Sequence, residues 1–206
     1  MKKYTETLLQ LRIDERLRAL RGRALPGRDP STPDEVLNYL LYTVKTLNPA
    51  HILEIGTAEG ISGAAMLFAA ENARLTTIES EEERFIAARK NFAELGLSER
   101  ADAVWGDAGE VIDCLTGGYD LIFLDGPKAQ YLRYLPRLKV LLRKGGVLFA
   151  DDVLLYGWVD GREPVPVKRH SIAEKLRQYL AAVCSDPELI TSILDIGEGV
   201  AVSVKI

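Results

Sequence analysis

The stretch His51-Ile52-Leu53-Glu54-Ile55-Gly56-Thr57-Ala58-Glu59-Gly60-Ile61-Ser62 constrains the fold more than any other part of the chain. An apolar run of strand length meets a glycine turn and passes into a helix whose apolar face is Ile61, Ala64, Ala65 and Phe68, the first half of a βαβ unit. Glycine at 56 permits a sharp turn and keeps a Cβ out of a ligand's way, and the helix that follows presents unpaired N–H groups to an anionic group. Both features favour a nucleotide-like cofactor at the turn. The spacing is Gly56-x-x-x-Gly60, with Ala58 and Ile61 where dinucleotide binders carry glycine, which weighs against NAD. The second strand, Arg74-Leu75-Thr76-Thr77-Ile78, ends in Glu79, 23 residues past Gly56, where an acid can accept the hydroxyls of a ribose.

From residue 51 onward, strand and helix patterns alternate, so the fold class is α/β, with a mostly parallel sheet covered on both faces. Strands are predicted at 51–55, 74–79, 102–105, 120–124, 147–151, 190–195 and 200–205, and helices near 61–71, 81–95, 108–115, 129–142 and 171–183. Gly197-Glu198-Gly199 is too short for a parallel crossover, so the last two strands form an antiparallel hairpin. A length of 206 residues with 47% hydrophobic content predicts one domain. Within it, 1–48 would be helices covering the site and 49–206 the core.

In the N-terminal part, Leu9, Ile13, Leu17 and Leu20 predict one amphipathic helix from about Tyr4 to Leu20. Arg21 to Pro30 reads as a mobile loop. At Thr32-Pro33-Asp34-Glu35 a second helix is predicted, with Thr32 as N-cap, Pro33 at the first helical position and Glu35 closing a capping box. No apolar run reaches the ~20 residues that span a bilayer, and Met1 to Glu6 lack a signal-peptide core, so a cytoplasmic location is expected. Cys114 and Cys184 stand alone and are expected as buried, reduced thiols. The net charge is −4, yet residues 1–28 hold eight basic side chains against Glu6, Asp14 and Glu15. The run Arg16 to Arg28 contains five arginines and no acid, suited either to phosphates or to a solvated surface.

Ligands of open parallel sheets bind beyond the carboxyl ends of the strands. The polar residues there are Glu54, Glu79, Asp107, Asp125, Asp151 and Asp152. Asp125 and Asp151 would lie ~5 Å apart if their strands are neighbours. Three close carboxylates repel unless a cation sits among them, and oxygen ligands without Cys or His favour Mg²⁺, or Mn²⁺ or Ca²⁺, over zinc. The alternative is that Asp125 and Asp152 only cap the segments that follow. Lys128, three residues after Asp125, would have its pKa lowered by a bound cation toward the range of a general base.

The ordered set Glu54-Ile55-Gly56-Thr57, Gly60, Ser62, Thr77-Ile78-Glu79, Gly106-Asp107-Ala108, Phe123-Leu124-Asp125-Gly126, Lys128, Tyr131 and Ala150-Asp151-Asp152-Val153 resembles the catechol-type, metal-dependent O-methyltransferases over nearly the whole chain. The resemblance implies the class I S-adenosylmethionine (SAM) methyltransferase fold, Rossmann-like with seven strands. It also implies a SAM site at Glu54, Gly56, Thr57, Ser62, Glu79, Asp107, Ala108 and Asp125. Asp125, Asp151 and Asp152 match the metal ligands, Lys128 the proposed base, and a homodimer is implied. The third ligand is usually Asn, so Asp152 is a departure.

Within the family, the C-terminal third is most similar to a bacterial enzyme that methylates 5-hydroxyuridine in tRNA, through Asp151 to Val159, Lys168-Arg169-His170 and Ile196 to Ser203. That implies tRNA as partner, with Tyr156 or Trp158 stacking on a base and Lys168 and Arg169 holding phosphates. A small catechol or phenol, or a non-catalytic SAM-fold module that binds RNA, are the other readings.

Overall fold

The computed structural model describes Tyr4, Leu8, 10–23 and 32–206. Its helices are α1 (Glu15–Arg23), α2 (Asp34–Leu47), α3 (Ile61–Ala69), α4 (Glu82–Glu94), α5 (Ala108–Cys114), α6 (Tyr131–Leu141) and α7 (His170–Ser185). Its strands are β1 (His51–Ile55), β2 (Arg74–Glu79), β3 (Ala101–Trp105), β4 (Tyr119–Leu124), β5 (Leu142–Ala150), β6 (Leu189–Leu194) and β7 (Val200–Lys205). They form one sheet in the order β3-β2-β1-β4-β5-β7-β6. β1 to β5 are parallel, and β7 runs antiparallel to both β5 and β6.

Alternation along the central strands feeds two cores. Ile52, Leu121, Phe123 and Phe149 face α2, α3 and α4, whereas Leu53, Ile55, Ile122, Leu124 and Leu148 face α6 and α7. Burial on both faces is why β1 and β4 read as nearly unbroken apolar runs.

The register then places the site. Ile55 pairs with Ile78 and Leu124, Glu79 with Trp105, and Leu124 with Ala150. Gly56, Glu79, Gly106, Asp125 and Asp151 therefore emerge along one edge, at the carboxyl ends of adjacent strands.

Several expectations need correction. The single helix from Tyr4 to Leu20 does not exist: Gln10 to Asp14 are not helical, and α1 starts only at Glu15 because the Asp14 carboxylate accepts the Arg16 N–H at 2.9 Å, an N-cap. The loop expected from Arg21 to Pro30 lies mostly outside the described residues. Arg21 itself is helical and donates to Asp34 at 2.5 Å and to the Thr32 carbonyl at 2.6 Å. Nor does the capping box form: helix α2 begins after Pro33 without a side-chain cap, and Glu35 instead accepts the Gly197 N–H at 2.7 Å. Strand β5 starts five residues earlier than predicted, a register shift between Tyr119 and Leu121 letting the glycine pair at 145 and 146 stay in the strand. Both cysteines are free and exposed rather than buried, since Ile112 and Val183 are the neighbours that point inward. Among the described residues, no helix is long and apolar enough to cross a membrane.

Candidate active site

The turn after β1 is built from backbone. Gly56 has φ +97°, and its N–H and that of Thr57 both donate to the Ile78 carbonyl, at 3.0 and 3.2 Å. A Cβ at Gly56 would lie 2.4 Å from the Asp125 carbonyl oxygen, so only glycine lets β1 and β4 approach this closely at their ends. Glu79 is 7% exposed, and its carboxylate accepts the N–H groups of Ala58 at 2.8 Å and Glu81 at 2.9 Å. The acid is thereby fixed at the wall of a cavity of about 550 Å³. Asp107 lines the same cavity while capping α5 through the Gly109 N–H at 2.8 Å.

At the other end of the cavity, Lys128 Nζ lies 2.6 Å from Asp125 Oδ1 and 3.0 Å from Asp152 Oδ2. Asp151 is 2% exposed and accepts the Asp152 N–H at 2.8 Å. Burial, reinforced by the charges of Asp125 and Asp152, pushes its carboxyl up to about 8. The Tyr131 hydroxyl is shared between the carbonyls of Leu124 and Asp151, at 2.9 and 3.1 Å, which ties the two strand ends together.

The Lys128 ammonium stands between Asp125 and Asp152, and among the described residues no three His, Cys, Asp or Glu side chains converge on a point that could hold a metal. With no ion beside it, the lysine's pKa moves up. Burial opposes its charge, but Tyr131, Asp125 and Asp152 outweigh burial and hold it well above its ordinary value.

Of the residues singled out in the sequence, Gly56, Glu79, Asp107, Ala108, Asp125, Lys128, Asp151, Asp152 and Tyr156 line this one cavity. Glu54, Thr57 and Ser62 do not. Glu54 is fully buried beneath the turn, where Ser62 and Thr77 donate to it at 2.5 and 2.6 Å, and the Thr57 and Thr77 hydroxyls meet at 2.6 Å. They form a hydrogen-bonded floor beneath the cavity lining. Trp158 is partly buried against the core, behind the exposed ring of Tyr156 at 4.9 Å. Lys168 and Arg169 are exposed on a single 3-10 turn and lie outside the cavity lining. Of the basic run, Arg16 pairs with Asp14, Arg18 donates to the Leu11 carbonyl and Arg21 pairs with Asp34. Those three are engaged within the chain, and Arg28 lies outside the described residues.

Sequence reading missed Thr32, Pro33, Arg84, Tyr134 and Glu198, all at the cavity wall. Only the capping signal at 32–35 hinted that this segment is rigid.

The floor carries a pH signature. Burial pushes Glu54 up to about 7 from 4.5, against the hydroxyls of Ser62 and Thr77, with Asp125 and Glu79 adding repulsion. A carboxyl raised in the folded state gives stability that is full below about pH 4.5 and lost as pH rises toward 7. The loss is about 3 kcal/mol. Urea unfolding of the metal-free protein from pH 4 to 9 is expected to show this fall together with that of Asp151, whose carboxyl is raised as well, so Glu54→Gln should remove about half of the slope below pH 7. A remaining slope toward pH 8 belongs to Asp151. A variant with an unchanged slope would show that Glu54 does not titrate in this way.

Comparison with known proteins fits this geometry. A Mycobacterium avium protein named as an O-methyltransferase is 31% identical over 196 residues, covering 93% of this chain and 86% of its own. A Staphylococcus aureus structure named for caffeoyl-CoA O-methyltransfer superposes with a TM-score of 0.85 at 27% identity, covering 92% of each chain. The SAH-bound Podospora anserina methyltransferase PaMTH1 superposes with a TM-score of 0.82 at 25% identity, covering 93% of this chain and 86% of its own. With residues 14–206 matching the family as a whole, the chain belongs to the O-methyltransferase family.

Proposed function

We propose that the protein transfers the methyl group of SAM to a hydroxyl oxygen, with a divalent cation at the acceptor end, and that its acceptor is 5-hydroxyuridine in tRNA. The observation that carries this reading is one cavity lined at one end by the Gly56 turn, Glu79, Asp107 and Ala108 and at the other by Asp125, Lys128, Asp152 and Tyr156. The SAH-bound relative supports the choice of cofactor. In this reading Glu79 accepts the ribose hydroxyls, and Asp107 and Ala108 border the adenine. Holding donor and acceptor in one enclosed space aligns the oxygen with the methyl carbon and excludes water.

Lys128 stands at the acceptor end beside Asp125 and Asp152, where its ammonium would stabilise an oxyanion on the acceptor or, its pKa lowered by a bound cation, help to remove the acceptor's proton. A hydroxyl beside the ammonium is more acidic, and the carboxylates of Asp125 and Asp152 are placed to take its proton. Asp125, Asp151 and Asp152 offer only hard oxygen donors, which fits Mg²⁺, Mn²⁺ or Ca²⁺ once the ammonium swings aside. Such an ion, when bound, adds Lewis-acid stabilisation at the acceptor oxygen.

The RNA assignment is supported by the exposed Tyr156 ring, a surface for an unpaired base, and by Lys168 and Arg169 outside the cavity, where flanking phosphates would pass. A small phenolic acceptor is favoured by a different observation: Arg16, Arg18 and Arg21 of α1 are engaged within the chain. The test uses labelled SAM with catechol and with tRNA carrying 5-hydroxyuridine, with and without EDTA, over a salt series. On tRNA the rate is expected to fall steeply with salt, and Lys168→Ala/Arg169→Ala to lower the salt slope by about 2 while sparing catechol. Equal, salt-insensitive rates would assign a small-molecule acceptor, and full activity in EDTA would remove the cation.

A further inference from the structure

The wall over the acceptor end is a backbone arch in an unusual conformation. Asp152, Leu155, Tyr156 and Gly157 all have left-handed φ, at +57°, +42°, +58° and +75°. Asp tolerates that region, but Leu and Tyr do not adopt it without support. The support comes from the β6–β7 turn. The Glu198 carbonyl accepts the N–H groups of Leu154 and Leu155 at 2.8 and 3.0 Å, and its carboxylate accepts the N–H of Tyr156.

The turn is itself seated on both sides. A Cβ on Gly199 would lie 2.3 Å from Leu154 Cγ, and one on Gly197 2.5 Å from Val36 Cγ2, so glycine at both positions lets the turn lie flush between the arch and α2. Glu35 fixes it from the α2 side through the Gly197 N–H. Beyond the arch, Arg177 donates to the carbonyls of Trp158 and Val159 at 2.6 and 2.9 Å. The arch thus carries the Tyr156 ring, 59% exposed, between a fixed strand end and a fixed return.

We propose that Glu198 is a positioning residue for the acceptor: its side chain clamps the Tyr156 backbone in the left-handed region and so aims the ring at the acceptor end of the cavity. What the ring meets there rests on the O-methyl-transfer reading; the clamp does not. The carbonyl bonds to Leu154 and Leu155 persist in any side-chain variant, so Glu198→Ala removes one interaction and leaves the turn in place. Glu198→Gln keeps an oxygen at the same reach.

Three quantities decide it: amide hydrogen exchange over 152–159, acceptor KM with catechol and with 5-hydroxyuridine tRNA, and SAM affinity by calorimetry. Glu198→Ala is expected to speed exchange in the arch and raise acceptor KM, each about tenfold, the scale of a lost hydrogen bond to a charged group. SAM affinity should stay within twofold, and Glu198→Gln should recover most of both losses. The proposal is overturned if arch exchange is unchanged, if SAM affinity falls in parallel with acceptor KM, or if Glu198→Gln is no better than Glu198→Ala. If the wild type methylates neither acceptor, the acceptor reading falls, and exchange alone decides the clamp.

Discussion

Gly56→Ala is expected to cost at least a hundredfold in SAM affinity and several kcal/mol in stability. The new Cβ would lie 2.4 Å from the Asp125 carbonyl oxygen, 2.8 Å from its carbon and 3.1 Å from Gly126 Cα. All three are backbone atoms, so no side chain can rotate away, and the ends of β1 and β4 must part. The left-handed φ of +97° adds about 1–2 kcal/mol on its own. Gly96→Ala is the matched control, because φ is +73° and a Cβ there meets nothing within 4 Å. It should lose only about 1 kcal/mol and no SAM affinity. Calorimetry with SAM and urea unfolding on both variants separate overlap from backbone strain. If Gly56→Ala binds SAM like the control, the turn is not the cofactor site.

Asp125→Ala is expected to lower methyl transfer by about two to three orders of magnitude, the scale of removing a group that organises charge at a reacting oxygen. Asp125 sits where both halves of the cavity meet: its N–H donates to the Ile55 carbonyl at 2.9 Å, and its carboxylate holds Lys128. Asp152→Asn should behave differently. Asn tolerates the left-handed φ of +57° and retains an oxygen, so the backbone stays and one negative charge leaves. Activity should remain within about tenfold of wild type, with a changed preference among Mg²⁺, Mn²⁺ and Ca²⁺. Initial rates with each ion, alongside circular dichroism to confirm folding, check both variants. Wild-type rates in both would reduce these acids to caps of the segments that follow.

How much of this was legible depended on how local each determinant is. Leu121 to Leu124 followed by Asp125 reads correctly because a strand buried on both faces must be apolar along its length and can turn polar only where it leaves the sheet. The strand order then brought Asp125 beside Gly56 and Asp151. Lys128 was placed at the right end of the cavity, but its charge state depends on a reach across to Asp152 that spacing does not encode. That Glu54, Thr57 and Ser62 lie outside the cavity lining was not legible, because sequence cannot tell a side chain above the turn from one beneath it. Glu198 looked like turn filler between two glycines. Its function depends on the arch 42 residues earlier, a contact invisible to any window along the chain.

The bond from Gly197 to Glu35 spans 162 residues, and that distance has a consequence for the order in which the molecule is made. Thr32 and Pro33, on the rim of the cavity, precede the whole sheet in the chain, yet their neighbour Glu35 finds its partner only in the β6–β7 turn. Long-range closures of this kind come late in folding, because the intervening chain must be ordered before the contact rewards it. A nascent chain still lacking β6 and β7 can form the parallel strands that carry Gly56, Glu79 and Asp125, but has neither the tether at Glu35 nor the clamp at Tyr156. The cavity is therefore closed by strands that follow every parallel strand of the sheet in the chain.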